Sequence, residues 1–238
     1  MSIDLARRAV AEAIGSAFLL ATVIGSGIMG ERLAGGNVAI ALLANTIATG
    51  AGLVALIMAF GPVSGAHFNP AVTIADASQG GLAWRDVPVY IVMQVSGAFV
   101  GVAIAHLMFG EPLFFASQHV RSGPAQWLSE FVATFGLLAT IWGVVRKRAN
   151  DAPFAVGAYI TAAYWFTSST SFANPAVTLA RAASNTFAGI RPSDVPGFAA
   201  AQLAGALAAT LLLRWLVPAL PTVSERVVLE RVQNEGTS

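Results

Sequence analysis

Long apolar runs, separated by short segments with charges, proline or glycine, dominate the chain. A helix needs about 20 mostly apolar residues to cross about 30 Å of hydrocarbon. Six runs approach that length, and they extend over Val10–Ile28, Val38–Phe60, Val87–Phe109, Gln126–Val145, Pro153–Ser169 and Val195–Val217. The pattern predicts six membrane-spanning helices in an all-α fold. The first run contains Glu12 and lacks a convincing cleavage site, so we interpret it as a helix of the mature protein.

The composition fits a membrane protein and excludes several other classes. Of the 238 residues, 56% are hydrophobic and 11% are charged, whereas soluble domains carry about 25% charged residues. A net charge of +1 without a basic stripe argues against nucleic-acid binding. The lack of cysteine excludes disulfides, thiolate metal sites and a Cys nucleophile. No nucleophile, base and orienting group cluster together, so we expect no enzyme activity, cofactor or metal.

The distribution of Lys and Arg predicts the orientation, because cytoplasmic loops carry an excess of positive charge. With both termini inside, nine basic residues fall on the cytoplasmic side and four on the outer side. The nine are Arg7, Arg8, Arg85, Arg146, Lys147, Arg148, Arg214, Arg226 and Arg231, and the four are Arg32, Arg121, Arg181 and Arg191. We therefore expect a multi-pass protein of the cell inner (plasma) membrane with cytoplasmic termini. Residues 1–221 form one transmembrane domain in this interpretation, and 222–238 a cytoplasmic tail.

Three matches indicate an internal repeat, over about 8–110 and about 125–218. EAIGSAFLLATV (12–23) aligns with EFVATFGLLATI (130–141), and HFNPAVT (67–73) aligns with FANPAVT (172–178). Gln94 and Gly97 recur as Gln202 and Gly205. Because each half contributes three spans, the second half must enter the membrane inverted. Equivalent segments of an inverted repeat meet near the midplane.

The two Asn-Pro-Ala segments predict half-helices that start at the midplane. They are Asn69, Pro70, Ala71 and Asn174, Pro175, Ala176. Asn is a favoured N-cap and Pro a favoured first helical residue. Ten residues, from Asn69 to about Ser78 or from Asn174 to about Ala183, cover about 15 Å. We expect each Asn to keep its side-chain NH2 free to point inward.

The loops before these segments predict a water-filled pore. Non-helical backbone at membrane depth is tolerated only where it is buried in protein or lines water. Two helix N-termini facing a pore place positive partial charge at its centre, which disfavours cations and tolerates neutral solutes. We therefore expect neutral molecules to pass.

The SGAHFNPAVT and STSFANPAVT segments, the paired Glu12 and Glu130, and the six spans resemble the aquaporin, or major intrinsic protein, superfamily. The resemblance covers nearly the whole chain. It implies a bundle of six helices and two re-entrant half-helices, a channel in every protomer, and a homotetramer. It also implies that Asn69 and Asn174 donate hydrogen bonds to the permeating molecule. Loop carbonyls would form a ladder, namely those of Gly65, Ala66, His67, Ser171, Phe172 and Ala173.

Glu12 and Glu130 are acids inside predicted spans, which makes a proton relay one interpretation. The resemblance implies another, in which they accept hydrogen bonds from the re-entrant loops and brace them. Gln94 and Gln202 would assist. We favour bracing. His67 is interpreted as a residue at the pore edge rather than a metal ligand or pH gate, and His106 and His119 as interfacial or loop residues.

The outer filter differs from the family pattern, in which an Arg usually stands three residues after the second Asn. That position is Val177 here. Counting from the two Asn residues gives Thr49, Ala162 and Ser171 as the other filter positions. Four small side chains without a charge or a ring predict a wide constriction that admits bulkier neutral polyols or hydroxides.

NPAVT-x-A-R, with ITAAYWFT upstream and FAGIRPSDVPGF downstream, resembles bacterial aquaglyceroporin-like channels associated with arsenic resistance. This resemblance implies arsenous acid and methylated arsenicals as solutes, together with glycerol and water. Arg181 lies one turn beyond Val177 on the same helix face. It either faces the outer vestibule, opposed by Asp194, or forms a salt bridge or interfacial anchor.

Three alternatives remain open. The first is an ordinary water and glycerol channel. The second is a coupled secondary transporter, because inverted repeats and broken helices also build carriers. The third is a structural junction protein with an inactive pore.

Overall fold

The computed structural model describes residues 3–216, apart from the side chain of Lys147. Within that range it contains eight α-helices and two single-turn 3-10 helices. The α-helices are α1 (Leu5–Leu33), α2 (Val38–Ser64), α3 (Pro70–Ser78), α4 (Val87–Phe109), α5 (Pro124–Arg148), α6 (Ala152–Phe166), α7 (Pro175–Arg181) and α8 (Val195–Leu216). The predicted tail, 222–238, lies outside the described residues.

Five of these helices, namely α1, α2, α4, α5 and α8, are long and apolar enough to cross a membrane. The sixth, α6, has 15 residues, which corresponds to about 22 Å. The short helices α3 and α7 have 9 and 7 residues. Together they confirm the predicted fold class, an all-helical membrane bundle with two half-helices.

Helix ends follow local sequence signals. The Asn69 and Asn174 side chains cap α3 and α7, and each is followed by Pro at the first helical position. Helix α2 continues past Pro62 to Ser64, and its C-cap is Gly65, whose φ of +94° is left-handed. Glycine adopts this conformation without steric cost. The chain therefore leaves α2 at a sharp angle and enters the re-entrant loop.

Helix packing repeats between the two halves of the chain. Helix α1 packs against α2 and α4, and α5 packs in the same way against α6 and α8. Each half-helix contacts both α4 and α8, so each reaches into the opposite half. The halves also meet directly where α2 contacts α6 and α3 contacts α7.

Glycines allow the closest crossings, and they occupy equivalent places in the two halves. A Cβ at Gly97 of α4 would run into the backbone oxygen of Ala13, and one at Gly205 of α8 into that of Phe131. Gly50 and Gly157 face each other where α2 crosses α6. Small residues let helix backbones approach closely in membranes, where packing rather than the hydrophobic effect drives association.

Candidate functional site

The tips of the two half-helices meet and hydrogen-bond crosswise. Asn69 Nδ2 donates to the carbonyl oxygen of Ala173 at 2.8 Å, and Asn174 Nδ2 donates to that of Phe68 at 2.7 Å. Asn69 and Asn174 are 4% and 5% exposed. One N–H of each amide is therefore engaged with the opposite loop, which corrects the expectation that the whole NH2 group stays free. Among the described residues, neither Nδ2 has a second acceptor.

Glu12 holds the loop before α3. Its Oε1 accepts from the Ser64 hydroxyl at 2.6 Å and from the His67 backbone N–H at 3.0 Å. Its Oε2 accepts from the Phe68 backbone N–H and from Gln94 Nε2, both at 2.7 Å. Glu12 is fully buried. Its four hydrogen bonds stabilise a carboxylate that has no contact with water.

Glu130 holds the loop before α7 in the same way. Its two oxygens accept the backbone N–H groups of Phe172 and Ala173, each at 2.9 Å. Gln202 Nε2 donates to Oε2 at 2.6 Å. Like Glu12, Glu130 is fully buried. Both carboxylates thus bind consecutive N–H groups of the loop that precedes an Asn.

The two glutamines connect each carboxylate to its half-helix. Gln94 Nε2 also donates to the Thr73 hydroxyl oxygen, and Gln202 Nε2 to that of Thr178, both at 2.8 Å. The sequence analysis assigned no role to these two threonines. Their signal was the repeat itself, since Thr73 and Thr178 end the matched NPAVT segments.

The re-entrant loops carry an unusual backbone. Ala66 and Phe68 in the first loop, and Thr170, Ser171 and Ala173 in the second, have φ between +48° and +61°. Such conformations cost non-glycine residues about 1–3 kcal/mol each and persist only when the surroundings enforce them. The buried carboxylates accept from the N–H groups of Phe68 and Ala173, and the hydroxyls of Ser64 and Ser169 accept from those of Ala66 and Ser171.

Most of the carbonyls expected to form a ladder lack a protein donor. Within 3–216, no hydrogen bond reaches the backbone oxygens of Gly65, Ala66, His67, Ser171 and Phe172. The Ala173 oxygen differs, because it accepts from Asn69. The N–H groups of His67, Phe68, Phe172 and Ala173 point at the carboxylates instead.

The structure brings three of the four expected filter residues into the protein interior and corrects the fourth. Thr49, Ser171 and Val177 are buried. Ala162 is exposed, on the face of α6 that also exposes Ala158.

Tyr164 takes the place on α6 that we had assigned to Ala162. It is buried, and its hydroxyl donates to the Thr49 hydroxyl at 3.3 Å. An aromatic ring therefore lies beside Thr49, which the expectation of four small side chains without a ring did not include.

The interpretation of Arg181 as a salt-bridge residue is wrong, and so is its expected opposition by Asp194. The residue is 2% exposed, so only a small part of its surface is open to a vestibule. Its Nε donates to the Ala188 carbonyl, and its Cζ lies 3.3 Å from the centroid of the Phe172 ring. Asp194 does not oppose it, because Asp194 forms an ion pair of 2.8 Å with Arg191. Among the described residues, no carboxylate pairs with Arg181.

Arg121, in the loop between α4 and α5, is a site residue that sequence reasoning treated only as a topology marker. We call the side of the membrane on which this loop lies the outer side. Arg121 Nε donates to the Gly189 carbonyl at 2.8 Å, and Nη1 to the Ser169 carbonyl at 3.1 Å. Burial lowers the pKa of the Arg121 guanidinium below its usual value, and Glu130 partly offsets that effect. Arg121 as a whole is partly exposed.

At the opposite end, His67 forms contacts that sequence spacing did not suggest. Its Nε2 lies 3.6 Å from an Asp76 carboxylate oxygen, and its Nδ1 lies 3.2 Å from the Thr73 hydroxyl. No group of three or more possible metal ligands occurs in 3–216. His106 is fully buried, with ring nitrogens 2.8 Å from the Leu113 carbonyl and the Ser184 hydroxyl, which corrects its interfacial assignment.

Two half-helices that meet tip to tip inside an inverted helical repeat define a class, the integral membrane channels with re-entrant half-helices. The sequence pattern of the major intrinsic proteins matches residues 1–171. The chain therefore belongs to the major intrinsic protein family, whose members are channels and not enzymes.

Individual proteins agree with this assignment. The chain is 57% identical over 223 residues to Aquaglyceroporin AqpS of Rhizobium meliloti (strain 1021), over 93% of this chain and 95% of that protein. It is 32% identical over 185 residues to Aquaporin NIP1-3 of Oryza sativa subsp. japonica, over 75% of this chain and 64% of that protein. The aquaglyceroporin from Plasmodium falciparum has the same fold, with a TM-score of 0.69 at 20% identity, over 91% of this chain and 99% of that chain.

Proposed function

We propose that the protein is a passive channel for small uncharged solutes, which include glycerol, water and metalloid hydroxides such as arsenous acid. One observation carries the proposal, the crosswise pair of hydrogen bonds from Asn69 to Ala173 and from Asn174 to Phe68. It holds two helix N-termini together at one point, where their positive partial charges disfavour cations. The remaining amide N–H groups then serve as donors to solute oxygens.

The polar groups near the second half-helix suit solutes rich in hydroxyls. The buried Ser171 hydroxyl has no partner within 3–216, and the loop carbonyls offer further acceptors. Buried polar groups without partners are rare and call for an explanation. A solute hydroxyl that donates to a carbonyl and accepts from an amide supplies one.

The metalloid part of the proposal rests on the small side chain at Val177 and on the extended motif around Arg181. Val177 leaves room where most family members place an Arg. Tyr164 reduces that room from the opposite wall, since its hydroxyl reaches Thr49. We associate two kinds of solute with this filter: arsenous acid, which is an uncharged trihydroxide near neutral pH, and methylated arsenicals. The 57% identical relative is named an aquaglyceroporin, which supports glycerol.

We further propose that the channel lies in the inner (plasma) membrane as a homotetramer, with both termini in the cytoplasm. The excess of Arg and Lys on one side supports the orientation. Large apolar side chains exposed on the helices, such as Phe18 at 60% and Leu207 at 61%, support burial against lipid or other protomers.

Stopped-flow measurements on proteoliposomes test the proposal. We expect glycerol and arsenous acid fluxes above those of empty liposomes, linear in concentration and independent of proton and sodium gradients. Flux that saturates at low concentration or requires a gradient would indicate a coupled carrier. Glycerol flux without arsenous acid flux would indicate an ordinary aquaglyceroporin, and no flux at all would indicate a structural role.

A further inference from the structure

Two guanidinium groups share one aromatic ring at the outer end of the second re-entrant loop. Cζ of Arg181 lies 3.3 Å and Cζ of Arg121 lies 5.1 Å from the centroid of the Phe172 ring. The two arginines come from different parts of the chain, since Arg181 ends α7 and Arg121 precedes α5. Two positive charges therefore meet next to Ser171.

Much of their hydrogen-bonding capacity is unused. A guanidinium has five N–H donors. Arg181 uses only Nε, and Arg121 uses Nε and Nη1. Within 3–216, both terminal nitrogens of Arg181 and Nη2 of Arg121 have no acceptor. None of these three nitrogens is among the fully enclosed side-chain atoms that lack a partner, so each keeps a small surface that a dissolved anion can reach.

No carboxylate of the described chain forms an ion pair with either arginine. Asp194 contacts the Arg121 backbone, but its Oδ1 accepts from Arg191 Nη2 and its Oδ2 from the Arg121 backbone N–H. Glu130 is occupied by two loop N–H groups and Gln202. The inner end of the pore differs, because Asp76, the counterpart of Arg181, contacts His67 there.

We propose that Arg121 and Arg181 form a binding site for a small inorganic oxyanion at the outer mouth of the pore. The forked N–H groups of guanidinium match the oxygens of sulfate-like and phosphate-like anions. An anion between them would supply both the missing acceptors and the missing negative charge. Arg181 lies one helical turn beyond Val177, so a bound anion stands over the filter and slows the passage of neutral solutes. This effect on flux, unlike the binding, rests on the proposed function.

Sulfate binding to the purified full-length protein tests the site directly, by equilibrium dialysis with radiolabelled sulfate. We expect Arg121→Gln to weaken sulfate binding at least tenfold and Arg121→Lys, which keeps the charge, to weaken it less. Arg32→Gln is the matched control, because Arg32 is an exposed outer arginine that pairs with Glu111 and lies over the Phe109 ring instead of the Phe172 ring. It should bind sulfate like the wild type. Equal affinity in the wild type and Arg121→Gln, or no saturable binding to the wild type, would overturn the proposal.

Arg121→His provides a test within a single protein if Arg121→Gln does not fold. Histidine is charged at about pH 5.5 and neutral at about pH 8, whereas sulfate keeps its charge over this range. We expect this variant to bind sulfate only at the lower pH, and equal binding at both would contradict the proposal.

A second readout is urea flux into proteoliposomes with sulfate on both sides of the membrane. Sulfate should slow the wild type and Arg32→Gln, and should not slow Arg121→Gln. Sulfate binding without any urea flux in the wild type would support the anion site and contradict the proposed channel function.

Discussion

The two half-helices share one supporting framework and differ at their far ends. In each repeat a buried glutamate, a glutamine and a threonine bind the loop and the half-helix through equivalent hydrogen bonds. Seven residues after the Asn, the first repeat has Asp76 and the second has Arg181. The charged group lies near a ring in both cases, His67 for Asp76 and Phe172 for Arg181. The framework holds the tips together, and the far ends of the two half-helices carry opposite charge.

The framework also differs in one detail, which leads to the largest predicted effect. Glu12 accepts four hydrogen bonds and Glu130 three. Hydrogen bonds to charged groups contribute about 1.5–3 kcal/mol each. We expect Glu12→Ala and Glu130→Ala each to lower the free energy of unfolding by about 3 kcal/mol or more, with the greater loss for Glu12→Ala. Chemical unfolding in detergent measures both, and a wild-type midpoint for either variant would contradict bracing.

Val177→Arg tests the outer filter. The new side chain would narrow the constriction and add a third cation near Arg121 and Arg181. We expect glycerol and arsenous acid fluxes to fall at least about tenfold, a loss of about 1.4 kcal/mol or more, while water flux changes little. Val177→Thr, which has nearly the same shape, is the control and should keep both fluxes. Unchanged glycerol flux in Val177→Arg would remove this position from the filter.

Introduced cysteines compare the accessibility of the two loops to mercurials, because the chain contains no cysteine of its own. The wild type should be insensitive to mercurials. Ser171→Cys should become sensitive, with solute flux reduced several-fold by HgCl2, because position 171 lies in the proposed filter. Ala66→Cys places a thiol at the equivalent position of the first loop and should respond to mercurials applied from the inner side. Strong mercury block of the wild type would contradict the explanation of mercury sensitivity by a cysteine at position 171 of the filter.

Tyr164→Phe should have the smallest effect. It removes the hydroxyl that donates to Thr49 at 3.3 Å, and a neutral hydrogen bond contributes about 0.5–1.5 kcal/mol. We expect a small loss of thermal stability and a change of about twofold in glycerol flux. Ala162→Val is the matched control on the exposed face of α6 and should leave flux unchanged. A stronger effect of Ala162→Val than of Tyr164→Phe would restore the original filter assignment.

The sequence predicts most of what the repeat encodes, although Thr73 and Thr178 were missed, and it fails where only one repeat carries a residue. The asparagines, glutamates and glutamines could be assigned because each appears twice in register. The α6 filter position was wrong because it was counted from Asn174 through an irregular loop. An error of two residues turns a helix by about 200°, which exchanges the buried Tyr164 for the exposed Ala162.

The surroundings of the arginines could not be predicted for a different reason. Helix periodicity correctly places Arg181 on the face of Val177, but it cannot show that the Phe172 ring and the Ala188 carbonyl enclose the guanidinium. Arg121 lies in a loop without periodicity, so no pattern connects it to Ser169 or Gly189. Only tertiary structure shows that it reaches the second re-entrant loop.

The most direct test of the central claim compares two solutes of the same shape, neutral urea and the permanently charged guanidinium ion, in wild-type proteoliposomes. If helix tips that meet at Asn69 and Asn174 form the centre of a passage for neutral molecules, urea flux will exceed that of empty liposomes and guanidinium will carry no measurable current. Comparable passage of both solutes would contradict the account.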